Sequence, residues 1–420
     1  MTPDAAQFIP SASLPELAGW VGVAVDGAEI VRAAENPRVG DFRPNIVLTS
    51  TPSTAPIEAA SSVSIAAILA MHPGARIISV DLWDAQAAPG RRITASYPSG
   101  DTQIVVVRWI WANGARHIQL TASAATHQYL ACAPAFDHWA SQLELLGETA
   151  PTQRDPEVDP ALDLWASARA GQSLELLERI VPGQPFVRPT LELSGAAQQA
   201  LLNAQDARPL PRRSVATDEL LAAGLLDSGR RPSAFARQLV AHWNPAALVI
   251  EASTVQAGVT RSLTLWVSGT STAYAVDTAG ADQRVVDDGT RAFGVIPIAR
   301  TVDTILSFLG VGPAWTFELQ HGVLTADAVD RHVQADSPAP VAAPEGANDA
   351  TLRFWAADWS ELRVRTARSS LRLISAGPAG LISVGAPTTP GGDAVLSGEA
   401  LPSYGFYVHL LRQFQEALAE

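Results

Sequence analysis

Apolar and polar positions alternate with a period of two along Gly90–Tyr97, Asp101–Trp111 and Ala115–Ser123, which predicts three consecutive antiparallel strands. In the second run Ile104, Val106, Arg108 and Ile110 share one face, and Val105, Val107, Trp109 and Trp111 share the other. Both faces are apolar enough for a central strand covered on each side. The first run alternates more cleanly, with Ile93, Ala95 and Tyr97 opposite Arg92, Thr94 and Ser96. Pro98-Ser99-Gly100 joins the first two strands, and Asn113-Gly114 is a tight-turn signal before the third, where Ile118, Leu120 and Ala122 point inward. Phe136, Trp139, Ala140, Leu143 and Leu146 then recur at helical spacing, so a helix starting at Pro134 is expected to lie across the sheet.

The same reading continues down the chain. Helices are expected at Leu162–Ala170, Leu174–Ile180, Ser194–Asn203, Thr217–Leu225 and Arg231–His242, followed by strands at Leu248–Ala252, Ser262–Val267 and Thr272–Val276, with Val285 near a fourth. Ile298, Val302, Ile305, Leu306 and Leu309 mark an amphipathic helix that stops at Gly310. The last stretch offers an apolar element at Leu352–Trp355, a hairpin Leu371–Ile374/Leu381–Val384 turned by Gly377-Pro378-Ala379-Gly380, and a closing helix with Tyr407, Leu410, Leu411, Phe414 and Leu418 on one side. Pro-rich, polar stretches at Thr149–Asp163 and Gln334–Ala350 read as connectors. They divide the chain into 1–150, 160–335 and 350–420, the last segment completing the second domain or standing apart. The expected class is α+β: antiparallel sheets flanked by helices, with an α/β/α sandwich first.

Composition narrows the function classes. With 47% hydrophobic residues in 420, a large core is affordable, while no apolar run reaches the ~18 residues of a membrane helix. No lysine occurs, so all 29 basic residues are arginine, a bias that fits a high-GC bacterial genome of the actinobacterial kind. The N-terminus has no basic residue before Arg32, so no signal peptide is expected and a cytoplasmic location is. The net charge of −13 argues against a general nucleic-acid binder. The single cysteine, Cys132, excludes an internal disulfide or a cysteine metal cluster and reads as a small buried residue.

Candidate chemistry is sparse. There is no G-x-S-x-G elbow, P-loop, G-x-G-x-x-G, H-E-x-x-H or EF-hand loop, and no cofactor, metal or catalytic residue is expected. A dispersed hydrolase site would have to draw on His117, His127 or Asp137-His138. Arg208, Arg212, Arg213, Arg230, Arg231 and Arg237 cluster around two short helices; they read as a basic patch that receives an acidic protein partner, as a solvated face, or alternatively as a helix-turn-helix regulator. Trp109 and Trp111, with Tyr97 across from them if the register allows, read as core or, where uncovered, as an aromatic partner-binding groove.

Gly19-Trp20-Val21, Phe42-Arg43-Pro44-Asn45-Ile46-Val47-Leu48, Pro89-Gly90-Arg91-Arg92, Ile104–Trp111 and Gln128-Tyr129-Leu130 through Pro134-Ala135-Phe136-Asp137 resemble the LpqN family over residues 8–148. That resemblance implies a PsbP-like α/β/α sandwich and a non-enzymatic binding role. This chain departs from the family's lipoprotein members in lacking an export signal, so their envelope role does not transfer. Residues 160–420 resemble the EspG family of type VII secretion chaperones in element order: Asp163-Leu164-Trp165, Leu220–Leu226, Leu263–Val267, then Ile296–Trp315. Together the resemblances imply a chaperone or adaptor for a small helical secretion substrate.

Overall fold

The computed structural model describes residues 11–83, 88–146, 177–204, 209–243, 246–277, 289–315, 324–334, 342–387 and 395–419. The expected helix at Leu162–Ala170, the connector at Thr149–Asp163, Val285 and Arg208 lie outside them. The chain forms two compact units, each described by itself. The first is 1–183 with 312–316 and 402–412, and the second is 184–311 with 317–401 and 413–420.

In the first unit the strands are β1 (Ala12–Ser13), β2 (Trp20–Gly22), β3 (Ile30–Ala34), β4 (Asn45–Pro52), β5 (Arg76–Leu82), β6 (Gly90–Ser99), β7 (Thr102–Asn113), β8 (Arg116–Ala125) and β9 (Glu144–Leu145). All but β1 and β9, which pair with each other, form a seven-stranded antiparallel sheet in the order β2-β3-β4-β8-β7-β6-β5. The expected meander β6-β7-β8 is its heart. The second turn sits one residue later than expected: Asn113 pairs with Arg116, leaving Gly114-Ala115 as the loop, with Gly114 at φ +59°. Helix α1 (Ile57–Met71) packs Ile57, Ile65 and Ile68 against Ile77, Val80, Ile93, Ala95 and Ile110 on one face of the sheet. Helix α2 (Thr126–Gln142) packs on β7 and β8 and buries Tyr129, Phe136, Trp139 and Ala140. The result is an α/β/α sandwich. Covered on both sides, β6 has no polar solvent face: Thr94 and Ser96 are as fully buried as Ile93 and Ala95.

Helix α2 starts eight residues before the expected Pro134. It follows β8 without a loop, and Gln128 ties the junction by accepting from the Ala125 N–H (3.1 Å) and donating to the Phe42 carbonyl (2.9 Å). Pro134 is tolerated inside because it lies on the exposed side, where water can serve the carbonyl its missing N–H abandons. Asp137-His138 is therefore in mid-helix, not at a helix start, and His127 is in the first turn. Trp139 locks the helix by edge contact with Trp20 (4.9 Å) and by donating from Nε1 to the Pro15 carbonyl (2.8 Å). The short helix α3 (Leu177–Ile180) adds Leu177 and Ile180 to the α1 side of the core.

The second unit contains helices α4 (Gly195–Asn203), α5 (Val215–Ala222), α6 (Ala234–Trp243), α7 (Thr301–Leu309), α8 (Ala326–Gln334) and α9 (Asp349–Ala356). Its strands are β10 (Leu191–Leu193), β11 (Leu248–Gln256), β12 (Val259–Ser268), β13 (Ser271–Asp277), β14 (Arg291–Pro297), β15 (Ser360–Arg365), β16 (Ser370–Ser375), β17 (Leu381–Pro387) and β18 (Leu396–Ala400). The closing helix α10 (Ser403–Ala419) begins within the first unit. Leu352–Trp355 is the body of α9, capped by the Asn348 side chain, which accepts from the Thr351 N–H at 2.9 Å.

One nine-stranded antiparallel sheet runs β10-β14-β13-β12-β11-β15-β16-β17-β18. It consists of two four-stranded meanders, β11 to β14 followed by α7, and β15 to β18 followed in sequence by α10. They join through the antiparallel pair β11·β15, with Ala252 opposite Val364. Outward from that pair, both halves follow the same sequential strand order. Helices α4, α5 and α6 cover Ala273, Ala275 and Phe293 of β13 and β14. Gly294 of β14 is required because a Cβ there would stand 2.6 Å from the Tyr274 ring. Gly310, at φ +66°, ends α7 as expected.

Candidate functional site

The expected aromatic platform is core. Trp109 and Trp111 are both 0% exposed on the α2 side of the sheet. Trp109 meets the Trp83 ring edge-on at 6.1 Å, and Trp111 lies over Gly90, where a Cβ would stand 2.8 Å from its ring and 2.1 Å from the Trp83 carbonyl. Tyr97 cannot join them. It pairs with Ile104, so it belongs to the opposite face, where it stacks on His72 (3.7 Å, 14° between planes). A residue one position out of phase in a strand always points to the other side.

A polar cluster that the sequence did not reveal sits beside Trp109. Register places Asp81, Arg92 and Trp109 side by side. The Arg92 guanidinium pairs with Asp81 at 3.1 Å and lies over the rings of Tyr404 (4.1 Å) and Trp83 (5.0 Å). Tyr404, near the start of α10, shares a 2.9 Å hydroxyl hydrogen bond with Tyr129 of α2. Burial pushes the Tyr129 hydroxyl well above its ordinary range, and Tyr404 is raised by the same cause. Asp137 is raised by burial, with Arg92 acting against that. Arginine stacked between two rings and paired with an acid is a clamp, holding 402–412 to the sandwich by charge-assisted and cation–π contacts.

The candidates for a dispersed hydrolase site do not converge. His117 reaches the Ala55 carbonyl at 2.7 Å, His127 faces Asp41 at 3.7 Å, and Asp137 belongs to the Arg92 cluster. His242 spans the Gln238 carbonyl (2.6 Å) and the Ser271 hydroxyl (2.8 Å), and His332 stacks on Trp359 at 4.0 Å. Cys132 is half-buried in mid-helix rather than fully buried, and burial raises its thiol pKa. Among the described residues no group of three or more His, Cys, Asp or Glu could hold a metal ion, and no helix is long and apolar enough to cross a membrane.

The arginine surface of the second unit is different. Arg212, Arg213, Arg231 and Arg237 are exposed, and Arg230 is half-buried with its Nη1 donating to the Leu210 carbonyl at 3.0 Å. The Leu210 N–H in turn donates to the Arg230 carbonyl (3.1 Å), and Asp227 accepts from the Arg231 N–H (2.9 Å), so the turn between α5 and α6 is fixed. Arg230 adopts φ +61°, a conformation that costs a non-glycine residue energy and that these bonds impose. No acid forms an ion pair with Arg212, Arg213 or Arg231 among the described residues. Val215 (85% exposed), Phe235 (44%) and Leu221 (36%) add apolar area to the same helices. By contrast, the arginines on the open face of β15 and β16 are engaged: Arg365 with Glu251 of β11 (3.4 Å), and Arg363 and Arg372 with Glu361 (2.5 and 2.8 Å).

No family model matches the chain, and no curated protein matches it in sequence. Among solved structures, LpqN of Mycobacterium tuberculosis, involved in cell envelope biogenesis, is 16% identical over 34% of this chain and 88% of that one, with a TM-score of 0.29. Cyanobacterial PsbP (CyanoP) from Synechocystis sp. PCC 6803 is 16% identical over 32% and 87%, with a TM-score of 0.27. PA94 of Pseudomonas aeruginosa, a protein of unknown function described as a putative regulator, is 10% identical over 33% and 99%, at 0.26. At these scores the likeness is weak and carries no functional meaning.

Proposed function

We propose that this chain is a cytoplasmic, non-enzymatic binding protein, a chaperone or adaptor that holds a helical secretion substrate. The observation that carries the reading is the surface of α5, α6 and their connection. Arg212, Arg213 and Arg231, which form no ion pair among the described residues, flank exposed Val215, Leu221 and Phe235 in a chain of net charge −13. An acidic, apolar-tipped helical hairpin complements such a surface. Its carboxylates accept paired N–H bonds from guanidinium forks, and its tip covers the apolar side chains. The resemblance to secretion chaperones read from the sequence of 160–420 motivates the choice of substrate class.

Affinity capture from the native host with the full chain as bait tests this reading. Recovery of a small helical secreted protein is the expected result. Capture across several growth conditions that returns no such protein contradicts it, and salt-dependent retention of random duplex DNA would favour a regulator instead.

A further inference from the structure

The first unit holds an arginine that the proposed substrate surface does not use. Arg108 projects from the middle of β7 on the α1 side, between Ile93 of β6 and Thr121 of β8. Other arginines of this sheet have acids: Arg91 with Glu58 (3.4 Å), Arg92 with Asp81 (3.1 Å) and Arg116 with Glu29 (3.9 Å). Arg108 has a hydroxyl instead. Its Nη1 donates to Ser64 Oγ of α1 at 2.8 Å, its Nε is shut off from solvent with no acceptor, and no carboxylate among the described residues faces it. Burial lowers its pKa with nothing opposing the shift.

The surroundings are hydroxyl-rich. Ser61, one turn before Ser64 on the same face of α1, is 0% exposed and its Oγ has no hydrogen-bond partner. Thr121, opposite Arg108, accepts from Gln119 at 3.2 Å. Beyond the edge of α1, Gln119, Thr121 and Ser123 of β8 and Thr49 of β4 remain half-exposed, which leaves an approach to the guanidinium from solvent. Arg108 is partly buried, its Nε is shut off from solvent without an acceptor, and no acid among the described residues balances its charge, so an anion reaching the guanidinium would complete it.

We infer that Arg108, with Ser61, Ser64 and Thr121, forms a binding site for a small oxyanion, the phosphate or carboxylate group of a ligand that enters over β8. The guanidinium supplies charge and direction, and the serine hydroxyls supply neutral donors that discriminate an oxyanion from chloride.

Calorimetric titration of the full chain with inorganic phosphate and with acetate, against chloride at equal ionic strength, tests the site. Wild type binds one of the two oxyanions, and Arg108→Met weakens that binding at least about tenfold, as loss of a charge-assisted hydrogen bond should. In chloride the same variant melts no lower than wild type, because a partly buried cation with no acid partner among the described residues gives way to an apolar side chain of similar length. Phosphate binding alone indicates a phosphoryl group, and acetate binding alone a carboxylate. The proposal is overturned if wild type binds neither above chloride, or if Arg108→Met binds like wild type. Should Arg108→Met fail to fold, Ser61→Ala and Ser64→Ala decide: a severalfold loss in either supports the site, and unchanged affinity in both overturns it.

Discussion

β7 and β11 both run through the interior of a large antiparallel sheet, yet β7 is covered on both faces, save at partly exposed Arg108, and β11 on one. Along β7, Val105, Val107, Trp109 and Trp111 are covered from one side and Ile104, Val106 and Ile110 from the other. Along β11, Leu248, Ile250 and Ala252 are buried, while Val249 and Glu251 face out. The difference is written in the period-two pattern: two apolar phases need two covering layers, and one apolar phase needs one. It also tells where recognition can occur. Aromatic residues in a doubly covered strand are structural, whatever their spacing, and the partner surface proposed above draws instead on the arginines and apolar side chains of helices that cover a sheet and keep an outer face of their own.

The largest test of this contrast is a pair of truncations. Trp109→Ala should cost about 3–5 kcal/mol, as for other fully buried tryptophans, while Val249→Ala on the open face should stay within about 0.5 kcal/mol. Comparable losses in chemical denaturation would mean that the two strands are covered alike.

An intermediate effect is expected at Glu361, buried beneath Arg372 and Arg363. Burial raises its pKa, but hydrogen bonds and charge from the two arginines outweigh that and hold it below 4.5. A depressed carboxylate stabilises the fold above its unfolded pKa, and the contribution is lost as pH falls through the folded value. Glu361→Gln should therefore destabilise at pH 7 by about 1–2 kcal/mol, discounted for the exposure of Arg363, and flatten the acid limb of a melting-temperature profile.

The opposite sign holds at Asp137, which burial raises above 3.8. The folded state there binds its proton more tightly than the unfolded state, so stability falls as pH climbs through the interval between the two values. Asp137→Asn should remove that slope, with a small gain in melting temperature at pH 7. A steeper slope in the variant would show that the attraction of Arg92 dominates instead.

The meanders, the turn at Gly310, the hairpin Leu371–Val384 and the closing helix were legible because periodicity and glycine placement are local signals. The start of α2 was not, because strand and helix adjoin without a loop and the capping residue, Gln128, reaches back to Phe42 across sequence. β15 and β18 escaped for a related reason: each is short and draws stability from its neighbours in the ladder rather than from its own pattern. The exposure of Arg212, Arg213 and Arg231 was legible in the sequence, since surface charge needs no tertiary context. The Arg92 clamp joins Asp81, Asp137, Tyr129 and Tyr404 from four elements, and nothing in their spacing announces it. The side assigned to Tyr97 failed on register, which the turn at Gly100-Asp101 decides.

The central claim is that the α5–α6 surface, and not the tryptophan sheet, takes the partner. Its most direct test is Arg212→Glu/Arg213→Glu/Arg231→Glu in one chain, measured side by side with wild type for thermal stability and for capture of the host partner. The account predicts an unchanged melting temperature, within the effect of about 0.5 kcal/mol expected at surface sites, and loss of the captured helical protein. Capture that survives the triple reversal, in a chain that melts like wild type, would contradict it.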